Sequence, residues 1–344
     1  MTTAERFRAF AEASAADGSP LYAEWADGVA ADDELLRVVD RAPEARRQPI
    51  LVFAVSRRLG APLGPYAEWR RWLLAHADDV VADLGRRLTQ TNDVRRCLPL
   101  SLALARVDGP VALLEVGASA GLCLYPDRYA YDAGGAAWGD RASHVRLAAT
   151  LSSDTTVAAE PPPATAPTSV AVLPAIVWRA GIDLAPVDVR DPEAVDWLET
   201  LLPPERTDRA TLLRRAVDVA RTEPPVLVEG DAVEALAGLA ARAPRSATLV
   251  VVTMGTLVYL PGARRQAFVD EVHRLGARWI SYERSGSLRD VRDPGVAGLP
   301  AADRFATLAL DGEPLALGDA HGTRLHMLTT CARPAGTDAE APLG

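Results

Sequence analysis

The chain contains no lysine: all 37 basic residues among its 344 are arginine. This excludes a Schiff-base lysine, and with it ordinary pyridoxal-phosphate chemistry. It also excludes a Walker-type phosphate loop, whose lysine reaches the phosphates. Arginine cannot stand in as a general base, because it stays protonated. Cysteine is scarce. Cys97, Cys123 and Cys331 lie far apart and form neither a CxxC pair nor an even framework, which points to a reducing cytoplasm and to no metal site. The five histidines include no HExxH and no zinc-type spacing, and His321 and His326, five apart beside a strand, are expected on opposite faces. No apolar run approaches the roughly 18 residues of a membrane span. Met1 to Phe10 carries Glu5, Arg6 and Arg8 where a signal peptide has its apolar core. The expectation is a cytoplasmic protein with no membrane partner. Positive charge is also in deficit: 46 acidic residues give a net charge of −9, which argues against a nucleic-acid partner.

What is present is an ordinary globular composition, 49% hydrophobic and 24% charged. Residues 1–108 are rich in Ala, Leu, Arg and Glu, and Trp69, Trp72, Leu73, His76 and Val80 recur at helical spacing. Pro20, Pro43, Pro49, Pro62 and Pro65 punctuate this region into short helices. After Asp108-Gly109-Pro110 the pattern changes to short apolar runs: Val111 to Val116, Ala175 to Trp178 leading to Ile182, Val226 to Val228, Thr248 to Thr253 and Arg278 to Tyr282. Helical stretches lie between several of them. Asp191-Pro192 starts one, and Pro261 opens another that ends at Gly276. Alternating strands and helices predict an α/β fold with a doubly wound, mostly parallel sheet over 109–332. Phe305 to Leu310 and Arg324 to Cys331, with no helix between them, predict an antiparallel hairpin closing the sheet edge. Residues 126–175 are expected to form an insertion with some β structure, at Asp127–Asp132 and His144–Leu151. Residues 333–344 are expected to be a disordered tail.

The segment with chemical content is Glu115-Val116-Gly117-Ala118-Ser119-Ala120-Gly121. A buried strand running into a turn of small residues lets backbone N–H groups come close to a ligand, and an acid beside that turn suits a cationic or hydroxyl-bearing group better than a phosphate. Asp183 ends the second strand, where a carboxylate can accept both ribose hydroxyls. The third strand runs into Gly230-Asp231-Ala232, and the fourth into Met254-Gly255-Thr256. Asp132 competes with Asp183 for the ribose role. The segment from Gly121 to Arg128 is too short for a parallel crossover, which favours Asp183.

These motifs, in this order, resemble a class I S-adenosylmethionine-dependent methyltransferase with a Rossmann-like sheet. More narrowly, Gln90-Thr91-Asn92, the Gly117–Gly121 turn, Asp127-Arg128-Tyr129, Trp138-Gly139-Asp140 and Trp178-Arg179 through Asp183 resemble the bacterial domain-of-unknown-function family 2332. That resemblance covers residues 85–330 and brings no activity with it. The methyltransferase resemblance implies S-adenosylmethionine as cofactor. Glu115 would lie near the methionyl amino group, and Gly117, Ser119 and Gly121 would form the floor. Asp183 would hold the ribose, Asp231 and Ala232 the adenine edge, and Met254 would pack on or near the base. Thr91 and Asn92 would reach over the cofactor from the helical region, which would act as a lid. The acceptor would be a small molecule, and His144 is the candidate general base should one be needed.

Two other readings use the same residues. Gly117-Ala118-Ser119-Ala120-Gly121 fits the GxSxG elbow of α/β-hydrolases, with His321 or His326 downstream, but the helical first 108 residues lack the strands and the oxyanion loop that precede an elbow. A protein that binds the cofactor without transferring its methyl group is the third.

Overall fold

The computed structural model describes residues 1–90, 92–153, 172–296 and 298–328. Seven helices come first: α1 (Thr3–Ala16), α2 (Pro20–Ala30), α3 (Asp33–Val39), α4 (Pro49–Arg58), α5 (Tyr66–Ala75), α6 (Ala77–Arg86) and α7 (Cys97–Leu104). Local chemistry sets their ends. Thr2 and Glu5 form a capping box on α1, Pro20 and Pro49 occupy the first positions of α2 and α4, and Asp32 caps α3. The apolar face that runs from Trp69 to Val80 is divided between two helices, with the break at His76, whose ring stacks on Trp72. Phe7, Tyr22, Trp25, Phe53 and Trp69 are fully buried together, Trp25 stacked on Trp69 with ring centroids 4.9 Å apart.

The rest of the chain builds one eleven-stranded sheet. Its strands are β1 (Val111–Val116), β2 (Ala130–Ala133), β3 (Ala136–Gly139), β4 (Arg146–Ser153), β5 (Ile176–Asp183), β6 (Val226–Glu229), β7 (Thr248–Thr253), β8 (Arg278–Arg284), β9 (Ala306–Leu310), β10 (Glu313–Gly318) and β11 (Arg324–Met327). The helices among them are α8 (Pro192–Thr200), α9 (Thr207–Thr222), α10 (Leu236–Ala240) and α11 (Gly262–Arg274). The strand order is β3-β2-β4-β11-β10-β9-β8-β7-β1-β5-β6. Within it β6, β5, β1, β7 and β8 run parallel, so the fold is mixed α/β with a mostly parallel sheet. Val111 and Leu113 pack with α7 and α9 on one face, while Leu114 and Val116 pack with α10 and α11 on the other. Both faces of β1 are therefore covered, which is why it reads as an unbroken apolar run apart from Glu115. Trp197 and Leu201 join the aromatic core of the N-terminal helices, docking that bundle on α8.

One expectation changes. The terminal hairpin is not Phe305–Leu310 with Arg324–Cys331. β9 instead pairs with β10 across Asp311-Gly312, both at positive φ, and β11 then pairs with β10; Cys331 lies outside the described residues. The β structure expected within 126–175 is present as β2, β3 and β4, and because β4 pairs in parallel with β11 these strands extend the same sheet. The expected tail over 333–344 lies outside the described residues. Among the described residues, no helix is long and apolar enough to cross a membrane.

Candidate functional site

Counted along the chain, the parallel strands β1, β5, β6, β7 and β8 lie in the order 3-2-1-4-5, with the reversal between β1 and β7. Open α/β sheets bind ligands beyond the carboxyl ends of their strands at such a reversal. Register brings those ends level: Val116 pairs with Ile182 and with Thr253, and Asp183 pairs with Glu229. A cavity of about 400 Å³ opens there, within the range of small-molecule sites. Arg46, Gln48 and the stretch Leu88–Gln90 close it from the helical side.

Six of the residues expected at the site line this cavity: Gly117, Ser119, Asp183, Asp231, Ala232 and Met254. Gly117 sits at φ 78°, and a Cβ there would lie 2.1 Å from Thr256 Oγ1, so the turn approaches β7 closely only without a side chain. Gly117→Ala is expected to lower stability by about 1–3 kcal/mol and to constrict the cavity; chemical denaturation of the variant beside the parent checks the first effect. Ser119 also has positive φ, 51°. Its N–H donates to Asp183 Oδ2 at 2.8 Å, and Ala185 N–H donates to Oδ1 at 2.9 Å. A carboxylate has about four acceptor sites, so Asp183 keeps capacity for ligand hydroxyls. Asp231 Oδ1 takes the N–H of Val233 and of Glu234 and pairs with Arg264. Against some burial, these contacts hold its carboxyl below the usual range.

Five other expectations are corrected or fall away. Glu115 does not line the cavity. It lies buried beneath the turn, with Oε2 lacking a hydrogen-bond partner, and burial first, then the proximity of Cys123 and Asp183, pushes its carboxyl well up. Gly121 is not floor either: it starts a short 3-10 helix and packs toward Pro225 and Leu227. Asn92 does not reach over the cavity but clamps the turn, donating to Ser119 Oγ at 2.7 Å and accepting from Ala120 N–H at 3.0 Å. Its neighbour Thr91 lies outside the described residues. His144 is exposed in a separate groove with Arg215 and Asp218, away from the strand tips.

The elbow geometry of a hydrolase is not assembled around Ser119. Its Oγ donates to Gln90 Oε1 and accepts from Asn92, whereas His321 is bonded to Asp93 and His326 to Ser152. The Asp127-Arg128-Tyr129 and Trp138-Gly139-Asp140 motifs do structural work. Asp127 pairs with the buried Arg179 at 2.7 Å, and Trp138 stacks on Tyr131 and donates to Ser101.

Two site residues escaped the sequence reading. Arg96 lines the cavity; Nη1 donates to Met254 O and Nε to Ala320 O at 3.2 Å. Nothing in its sequence surroundings marks it. Glu283, at the end of β8, is buried and accepts the N–H groups of Gly255, Thr256 and Leu257, fixing the β7 tip; burial nevertheless raises its pKa. Inspecting the fifth parallel strand for the acid that β1, β5 and β6 carry at or near their ends would have exposed it. The cavity lining thus includes two carboxylates, Asp183 and Asp231, and two arginines, Arg46 and Arg96. Such a site suits a small zwitterion carrying hydroxyls. No curated protein and no solved structure matches the chain. A family model described as "Uncharacterized protein conserved in bacteria (DUF2332)" matches residues 4–326, and the chain belongs to that family.

Proposed function

We propose that the protein binds S-adenosylmethionine in this cavity and transfers its methyl group to a small molecule. The observation that carries the reading is the convergence of Asp183, Asp231 and the close Gly117 turn on one hollow at the sheet's reversal point. Asp183 has acceptor capacity left for the ribose hydroxyls and Asp231 for an adenine amino group, and Met254 offers an apolar surface to the base. Arg96 or Arg46 supplies the cation for the methionyl carboxylate, while the buried Glu115, absent from the cavity lining, does not meet the methionyl amino group. When bound, the sulfonium supplies an electrophilic methyl with a neutral thioether as leaving group. The protein's share is to exclude water and hold the partners in line.

Calorimetric titration with S-adenosylmethionine and S-adenosylhomocysteine tests the reading. Both are expected to bind. Asp183→Ala is expected to weaken binding about 10- to 150-fold, the equivalent of a hydrogen bond to a charged group worth about 1.5–3 kcal/mol. Asp231→Ala is expected to act in the same direction. If neither compound binds, the reading fails. Binding without turnover over a wide acceptor panel would leave a cofactor-binding protein instead.

A further inference from the structure

A second cavity, of about 330 Å³, abuts the first and shares Thr89, Gln90 and Arg96 with it as a common wall. It lies between the N-terminal helices and α8 and α9. Most of its lining is apolar, with Phe10, Ile50, Leu198 and Leu213 among the residues, but one end carries His321, Asp93, Asp17 and Arg209. At this end His321 Nδ1 is 2.7 Å from Asp93 Oδ2. Burial pushes the Asp93 carboxyl up, but hydrogen bonds from His321 and Arg95 and the charges of Arg95 and Arg209 outweigh it and hold the group well below the usual range. Asp93 is therefore the acceptor and Nδ1 the donor, so that in the neutral ring the lone pair lies on Nε2. Nε2 lies 3.9 Å from Asp17 Oδ1, beyond hydrogen-bond reach. Asp17 is already held by Arg206 at 2.9 Å and Arg209 at 2.8 Å. At the shared wall, the buried Thr89 Oγ1 has no hydrogen-bond partner.

We infer that this second cavity is the acceptor site, taking a small apolar molecule with one ionisable hydroxyl, a phenol above all. In it His321 Nε2 is the general base, and Asp93 is the positioning residue that fixes its tautomer. The inference rests on the methyl-transfer reading for the identity of the donor, but not for the binding of the acceptor. The hydroxyl proton passes to Nε2, and the imidazolium is stabilised by Asp93. The oxygen lone pair forms the new bond to the methyl carbon as the carbon–sulfur bond breaks with its electron pair going to sulfur. The proton leaves to water when the product departs. The apolar walls accept the body of the acceptor, and the neighbouring guanidiniums of Arg96 and Arg209 favour its oxyanion.

4-Nitrophenol is the probe, because its phenolate absorbs visible light. With the full-length protein alone, binding is expected to raise the phenolate fraction above that of the same solution without protein. His321→Ala is expected to abolish that rise. With S-adenosylmethionine added and unsubstituted phenol as acceptor, His321→Ala is expected to lower kcat about 10²- to 10⁴-fold. With 4-nitrophenol, already about half ionised near neutrality, the loss is expected to be under about tenfold by the same reasoning. Asp93→Asn is expected to show the same dependence on acceptor acidity, which a merely structural role would not produce. Absence of phenol binding by the parent protein would overturn the inference, and so would a His321→Ala variant with unchanged phenolate fraction and unchanged turnover of phenol. Phenol binding and ionisation without any binding of S-adenosylmethionine would instead sink the donor assignment and leave the acceptor cavity standing.

Discussion

Asp93→Ala is expected to destabilise the protein by about 3–5 kcal/mol, the cost of removing one partner from a buried ionic network. Asp93 is 5% exposed at its side chain and gathers His321 at 2.7 Å, Arg95 at 2.6 Å and Arg209 at 3.5 Å. Its Oδ1 also caps the short helix that leads into α7, through the N–H of Arg95. Alanine would leave Arg95 and Arg209, both mostly buried, facing one another with one counter-charge fewer. Urea denaturation measures the loss. The acid limb of stability provides a second check. The folded pKa of Asp93 is depressed, so its stabilisation is complete above its unfolded value of about 3.9 and is given up as pH falls from there toward the folded value. Asp93→Asn should flatten that part of the profile while leaving the neutral-to-alkaline part parallel to the parent. A loss below about 1 kcal/mol for Asp93→Ala would mean that water, not the protein, satisfies these guanidiniums.

The elements that could be read from the chain are those whose signals are local. Pro20 and Pro49 open helices where they stand, Asp191 caps α8, Gly276 ends α11, and the apolar runs of β1, broken only by Glu115, and β7 announce strands covered on both faces. The acids at the strand tips were legible for the same reason, since each closes its own strand. Strand Glu313–Gly318 was hidden by Pro314 and by its place between two stronger runs, although Asp311-Gly312 is a hairpin signal. Arg179 reads as part of a tip motif, yet its guanidinium turns away to Asp127 and Leu124 O in the packing beneath. The pairing of His321 with Asp93 spans 228 residues and joins two loops, so no spacing rule reaches it. The clamp of Gln90 and Asn92 on the turn is likewise tertiary: Asn and Asp before a helix read as caps, yet Asp93 caps one whereas Asn92 bonds to the turn. Local order was thus visible in the chain, whereas the choice of which polar groups meet was not.

Glu115→Gln is expected to stabilise the protein at neutral pH, where keeping the buried Glu115 carboxyl from its charged form costs stability that a side chain without a titrating proton does not lose. Glu115 lies opposite Gly181 on one neighbouring strand and Val252 on the other, 4% exposed, with Cys123 and Asp183 adding to the burial that disfavours its charge and only Arg96 opposing. A carboxyl whose folded pKa exceeds its unfolded value of about 4.3 contributes fully below that value and loses its contribution as pH rises to the folded pKa. Glutamine has nearly the same shape and does not titrate. Its extra N–H groups lack acceptors in this pocket, so at acid pH it should be the less stable of the two, by about 1–3 kcal/mol for a buried unsatisfied donor. The stability curves of parent and variant should therefore cross as pH rises through the weakly acid range, a pattern that thermal denaturation at several pH values resolves. An ionised Glu115 paired with Arg96 would give the opposite: glutamine destabilising at every pH above the unfolded value, and no crossing. The sign also bears on the ligand. With the charge of Glu115 disfavoured by burial and its carboxyl beneath the turn, the carboxylates lining the first cavity are Asp183 and Asp231, and Arg96 lines it with them.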